Sequence, residues 1–174
     1  DEKQQLHLAT QVKEIDLARV AKMYSQCCDE IGHAKSALRA GPPVAVRMSD
    51  LGGAETKEAE EVGFAALAEG TVAVALVAGG QGSRLGFNHP KGMYPIGPLS
   101  SASLFDILLG KVAATSAFAD ASIPVYLMTS PATHDETLAY LKDTQNFGIP
   151  KSEMTVFCQG TLPAVDATTG KLLL

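Results

Sequence analysis

An apolar run from Val72 to Ala78, rich in valine, leads without a break into Gly79-Gly80-Gln81-Gly82-Ser83-Arg84-Leu85-Gly86, with Pro90-Lys91 close behind. A short apolar run of this kind predicts a strand buried in a parallel sheet. Four glycines in the next eight residues let the backbone turn sharply and bring its N–H groups up to an anion. Arg84 and Lys91 are the only Lys or Arg residues between Lys57 and Lys111. A strand, a glycine cradle and two isolated cations together predict a nucleoside triphosphate site. A structural turn would account for the glycines, but an ordinary turn has no use for paired cations beside a buried strand.

The common phosphate motifs do not fit. No Gly-x-x-x-x-Gly-Lys-Ser/Thr run is present. A dinucleotide fingerprint starting at Gly80 meets Leu85 at its sixth position, and Gly86 comes one residue late. Asn88, Pro90, Pro95 and Pro98 forbid a long helix directly after the loop, and Asp106 falls in a helical pattern instead of closing a second strand. A dinucleotide-binding dehydrogenase is therefore disfavoured.

Periodicity predicts helices over Leu6–Ile15 and Asp16–Ile31, the second opened by Asp16 as N-cap and ended by Gly32. Residues 40–50, with Gly41-Pro42-Pro43, read as a linker. A helix over Glu55–Glu69 stops at Gly70, and the strand Val72–Ala78 and its loop follow. Ser103 caps the next helix, Pro124–Met128 is a strand, Thr133 caps a helix through Gln145, and Met154–Cys158 is a strand. Alternating strands and helices imply right-handed parallel crossovers and a doubly wound α/β sheet. The expected organisation is a helical region over 1–50 and a sheet domain over 51–174. In open α/β sheets ligands sit beyond the carboxyl ends of the strands, where Gly79, Ser130 and Gln159 all fall.

Composition narrows the function classes. A net charge of −5, with no Lys/Arg-rich stretch, argues against a nucleic-acid surface. No apolar run approaches the roughly 20 residues needed to span a bilayer, and the polar start Asp1-Glu2-Lys3 does not read as a signal peptide. Three cysteines, Cys27, Cys28 and Cys158, fit neither a disulfide framework nor metal-ligand spacing, which suggests a reducing compartment, the cytosol.

The loop with Pro90-Lys91 resembles the signature of sugar-1-phosphate nucleotidyltransferases. Its continuation Pro90-Lys91-Gly92-Met93-Tyr94 and Gly97 resembles the eukaryotic-type UDP-N-acetylglucosamine pyrophosphorylases. Phe157-Cys158-Gln159-Gly160-Thr161-Leu162-Pro163-Ala164, followed by Gly170-Lys171, resembles that family's uridine-binding segment. Ser83 stands where Thr is usual and Val77 where Leu is usual; both keep the chemistry. The resemblance is strong over 71–174 and weaker over the helical N-terminus.

The resemblance implies a Rossmann-like nucleotidyltransferase joining UTP and N-acetylglucosamine 1-phosphate into UDP-N-acetylglucosamine and pyrophosphate. Another UDP-sugar pyrophosphorylase, or a non-catalytic nucleotide-binding module, stays open at this point. Arg84 would serve the leaving pyrophosphate, and Lys91 would bridge the α-phosphate and the sugar phosphate. Val77, Ala78, Gly79, Gly80, Gln81, Gly82, Ser83, Gln159 and Gly160 would line the UTP site, with the N–H groups of Gly80 to Ser83 on phosphate oxygens and Gln159 on the uracil edge. The family also implies Mg²⁺, held by an acid outside this chain. By the same resemblance the chain is the N-terminal piece of a longer enzyme, inactive alone, and a monomer or weak homodimer.

The remaining polar residues read more plainly. Asp166 is a turn residue before Thr168-Thr169-Gly170, not a metal ligand. His7, His33, His89 and His134 read as surface, and one of Cys27 and Cys28 as facing the core. Ser130 lacks the Gly-x-Ser-x-Gly elbow of a nucleophile.

Overall fold

The computed structural model describes residues 1–27 and 30–173; Cys28 and the side chains of His7 and His33 lie outside the described residues. The chain forms two compact units, one of residues 46–160 and one of 1–45 with 161–174.

The larger unit holds three strands, β1 (Val74–Val77), β2 (Val125–Thr129) and β3 (Met154–Cys158), all parallel and in the spatial order β1-β2-β3. Register places Val74, Val125 and Met154 in one row and Leu76, Leu127 and Val156 in another on the same face. Numbering the helices in chain order, α5 (Leu104–Ala119) and α6 (His134–Asp143) make the two crossovers. Phe105 and Leu109, one turn apart on α5, and Leu141 on α6 join Val125, Leu127 and Ile149 in one core. Both helices therefore cover the same sheet face, as two right-handed crossovers in sequential order require. On the other face Val77, Tyr126 and Phe157 are exposed.

The expected signals set the start of α5. The Ser103 hydroxyl accepts from the Asp106 N–H at 3.1 Å, and the Asp106 carboxylate accepts from the Ser103 N–H at 2.7 Å. Helix α4 (Ala54–Ala68) ends before Gly70 in the left-handed region, and Phe64 meets Phe118 of α5 at 5.6 Å between ring centres. Helix α6 ends at Asp143, short of the expected Gln145. Gln145, Asn146 and Phe147 instead take successive positive φ angles of 51°, 53° and 56°. Such residues carry strain of about 1–2 kcal/mol each, and here they bring Phe147 back to 5.9 Å from Tyr140 on the core side.

The smaller unit contains α1 (Glu2–Glu14), α2 (Leu17–Cys27) and α3 (Glu30–Ala37). Asp16 accepts from the Arg19 N–H at 2.9 Å, as its capping role requires. Gly32 does not end a helix: it lies inside α3, because a helical glycine costs only about 1 kcal/mol against alanine and need not be a stop. The Tyr24 hydroxyl of α2 donates to the Ala167 carbonyl of the returning segment at 3.0 Å, and Val165 pairs with Leu172 within that segment.

Gly92 shows how the packing reaches the loop. A Cβ there would lie 2.2 Å from the Phe105 ring, itself locked in the core. Gly92→Ala should destabilise the protein by about 1–3 kcal/mol in chemical denaturation. Gly80→Ala, with nothing within 4 Å of its Cβ, should change stability by less than about 0.5 kcal/mol.

Candidate active site

The parallel ladder continues beyond the assigned strands. The Ala78 N–H donates to the Met128 carbonyl at 2.7 Å, and the Gln159 N–H to the Thr129 carbonyl at 2.8 Å. Gly79, Ser130 and Gln159 thus leave the sheet side by side, at the edge where the sequence places them. The Ser130 hydroxyl donates to the Gly79 carbonyl at 2.8 Å. A Cβ on Gly79 would sit 3.3 Å from the Gln159 side-chain oxygen and 3.3 Å from the Ser130 Cβ. A side chain at Gly79 would press on the Gln159 amide, which lies against the start of the loop.

The loop closes on itself. The Lys91 N–H donates to the Gly80 carbonyl and the Gly82 N–H to the His89 carbonyl, each at 2.9 Å, around the pairing of Gln81 with buried Pro90. Between them Ser83–Leu85 make a 3-10 turn, closed by Gly86 at φ 66°. The expectation for Gly82 changes accordingly. Its N–H is engaged inside the loop, and its bare Cα is needed because a Cβ would lie 2.7 Å from the Phe87 carbonyl oxygen. The N–H groups of Gly79, Gly80, Gln81 and Ser83 have no internal acceptor among the described residues. Ala78 is buried with its N–H in the ladder, while Val77 and Gly160 are exposed at the strand ends. Arg84 and Lys91 are exposed, and neither takes part in an ion pair among the described residues. A closed loop with unengaged N–H groups and two unpaired cations can receive a polyphosphate.

Several side chains read as plain surface or caps have definite partners. His89 Nδ1 lies 2.5 Å from Glu136 Oε1, and His134 Nδ1 lies 2.7 Å from the Thr129 hydroxyl. Thr133 precedes α6 but makes no side-chain cap. Its hydroxyl accepts from the Ser130 N–H at 3.1 Å, which folds the turn behind Gly79. The Thr129-Ser130-x-x-Thr133 spacing, hydroxyls after a strand and before a helix, is the sequence signal for that turn. The Glu136 pairing has no such signal, because 47 residues separate it from His89. Cys27 and Cys158 are free and exposed.

The described residues do not build a magnesium site. No group of three or more His, Cys, Asp or Glu among them is arranged to hold a metal ion, Asp106 is engaged with Ser103, and Glu136 with His89. Among the described residues, no helix is long and apolar enough to cross a membrane.

Known proteins share this architecture. The family model described as UTP–glucose-1-phosphate uridylyltransferase matches residues 21–173. The UDP-N-acetylglucosamine pyrophosphorylase of Saccharomyces cerevisiae is 44% identical over 116 residues, 65% of this chain and 24% of that protein. UDP-N-acetylglucosamine diphosphorylase 2 of Arabidopsis thaliana is 34% identical over 182 residues, 96% of this chain and 36% of that protein. The crystal structure of the uridine diphosphate N-acetylglucosamine pyrophosphorylase from Trypanosoma brucei in complex with inhibitor superposes with a TM-score of 0.64 at 30% identity, covering 68% of this chain and 24% of that one. The chain belongs to the UTP–glucose-1-phosphate uridylyltransferase family. It spans 24% and 36% of the length of these two curated relatives.

Asp166 sits in the turn the sequence predicts. Its carboxylate accepts from the Thr169 hydroxyl and N–H, each at 2.7 Å, and from the Thr168 N–H at 3.1 Å. The Thr169 hydroxyl, then the Thr169 N–H, hold its pKa below the ordinary aspartate value. A carboxyl depressed by folding stabilises the turn at pH above its unfolded pKa, about 3.9, and that contribution fades as pH falls through the lower folded value. Protection of the Thr169 amide against hydrogen exchange should therefore hold from neutral pH down to about 4 and decline only below it. Asp166→Ala should lose that protection at every pH.

Proposed function

We propose that this chain supplies the UTP-binding part of an enzyme that transfers the uridylyl group of UTP to N-acetylglucosamine 1-phosphate. The observation that carries the reading is the convergence at one sheet edge of a closed glycine loop, with two unpaired cations, and a side-chain amide laid against Gly79. The names of the curated relatives support the same sugar.

In this reaction a sugar-phosphate oxygen attacks the α-phosphorus of UTP. The new P–O bond forms as the bond to the β-phosphate oxygen breaks, and pyrophosphate leaves with that electron pair. The attacking phosphate is already an anion, so no protein base is needed. Catalysis rests on positioning and on charge placed where charge accumulates. The free N–H groups of Gly80, Gln81 and Ser83 face the polyphosphate. Arg84 presents a planar fork for the leaving pyrophosphate, whereas Lys91 acts as a point charge between the α-phosphate and the incoming sugar phosphate. Gln159 has both acceptor and donors for the uracil O4 and N3–H edge.

Lys91→Ala in the complete protein should lower kcat by about 10²–10³-fold with a smaller change in KM for UTP, because the charge matters most in the transition state. Pyrophosphate release at the wild-type rate would remove Lys91 from the chemistry. Gln159→Ala tests the base. Cytosine lacks the N3–H and carries an amine in place of O4, so unpaired polar groups at this edge cost about 1–3 kcal/mol. The variant should weaken UTP and narrow its advantage over CTP in kcat/KM. If both nucleotides lose equally, uracil is read by something other than Gln159.

A further inference from the structure

We infer that His89 and Glu136 form a positioning pair that sets Lys91 in the reaction, an inference that rests on the catalytic reading above. The loop is gripped twice from the same direction. At its start the Ser130 hydroxyl, in the turn that opens α6, holds the Gly79 carbonyl at 2.8 Å. At its end Glu136, in the first turn of α6, holds His89 Nδ1 at 2.5 Å. Between these points the loop is zipped by the His89 carbonyl, which accepts the Gly82 N–H, and by the Lys91 N–H, which donates to Gly80.

His89 therefore joins both devices: its backbone closes the cradle and its side chain ties the closed cradle to α6. Lys91 follows two residues later, across buried Pro90, whose fixed φ removes one of the torsions by which a shift of His89 could be absorbed. A movement of His89 is passed to Lys91. The His89 and Glu136 side chains are 54% and 41% exposed, so the pair adds little to overall stability. Its effect falls on where Lys91 sits.

The test is a double-mutant cycle in the complete protein, with His89→Ala, Glu136→Ala and the combination. Each single variant should lower kcat by about tenfold to a hundredfold while KM for UTP moves less, since a misplaced charge costs mainly in the transition state. The combination should be no worse than either alone. Glu136→Gln, which keeps an oxygen to accept from Nδ1–H, should recover much of the loss. Amide exchange at Gly82 and Lys91 should accelerate in both alanine variants without nucleotide present, while the melting temperature stays near wild type. Unchanged kcat, losses that add in the combination, or unaltered exchange at Gly82 and Lys91 would overturn the proposal. Lys91→Ala in the same assay separates the two readings. If that variant keeps wild-type turnover, the catalytic reading fails, and the exchange data alone decide whether His89 and Glu136 hold the loop.

Discussion

Main-chain hydrogen bonds run past the last residues of β1 and β3, from Ala78 to Met128 and from Gln159 to Thr129, at 2.7 and 2.8 Å. A parallel ladder spaces its strands about 4.8 Å apart, so these two bonds fix where three loops begin. The glycine loop, the Ser130 turn and the Gln159 segment leave the sheet at one level because the register aligns Val77 with Met128, and Thr129 with Cys158. A shift of one residue would turn each strand's core side chains to the open face. The core contacts of Val125 and Leu127 with α5 and α6 oppose that shift, and so the hydrophobic packing of one sheet face holds the polar edge in place.

The loop is built to stay open toward a ligand. Its closing bonds use the Gly82 and Lys91 N–H groups and leave those of Gly79, Gly80, Gln81 and Ser83 without an acceptor among the described residues. Glu136, the acid opposite the loop, engages His89 rather than either cation. On a chain of net charge −5, two unpaired cations, Arg84 directly after Ser83 and Lys91 where the loop closes, concentrate positive potential where a polyphosphate would approach. Helix α6 and the turn that precedes it hold this loop at both ends, through Glu136 and Ser130, and Leu141 of α6 joins the core.

Much of this was legible in the residues. The Ser103 cap and the Met154–Cys158 strand each carry a local cause and form as read, whereas the valine-rich run at 72–78 yields a shorter strand, Val74–Val77. Local causes also misled. Gly32 looks like a helix stop but lies inside α3, and Thr133 looks like a cap but spends its hydroxyl on the Ser130 N–H. Helix α6 ends before Gln145 because Phe147 has core neighbours to reach, and that demand is absent from the local sequence.

The sequence by itself determined the chemistry on offer: a glycine loop after a buried strand, Arg84 and Lys91 as isolated cations, and Gln159 after a later strand. Those follow from residue type and short-range spacing, which a linear reading contains. Only the tertiary structure decided which loop N–H groups remain free, that the Gln159 amide lies against Gly79, and that His89 answers to Glu136. The last two depend on contacts between segments far apart in the chain, and the first on how the loop closes on itself. Such contacts are set by sheet register and helix packing, and no local propensity encodes them.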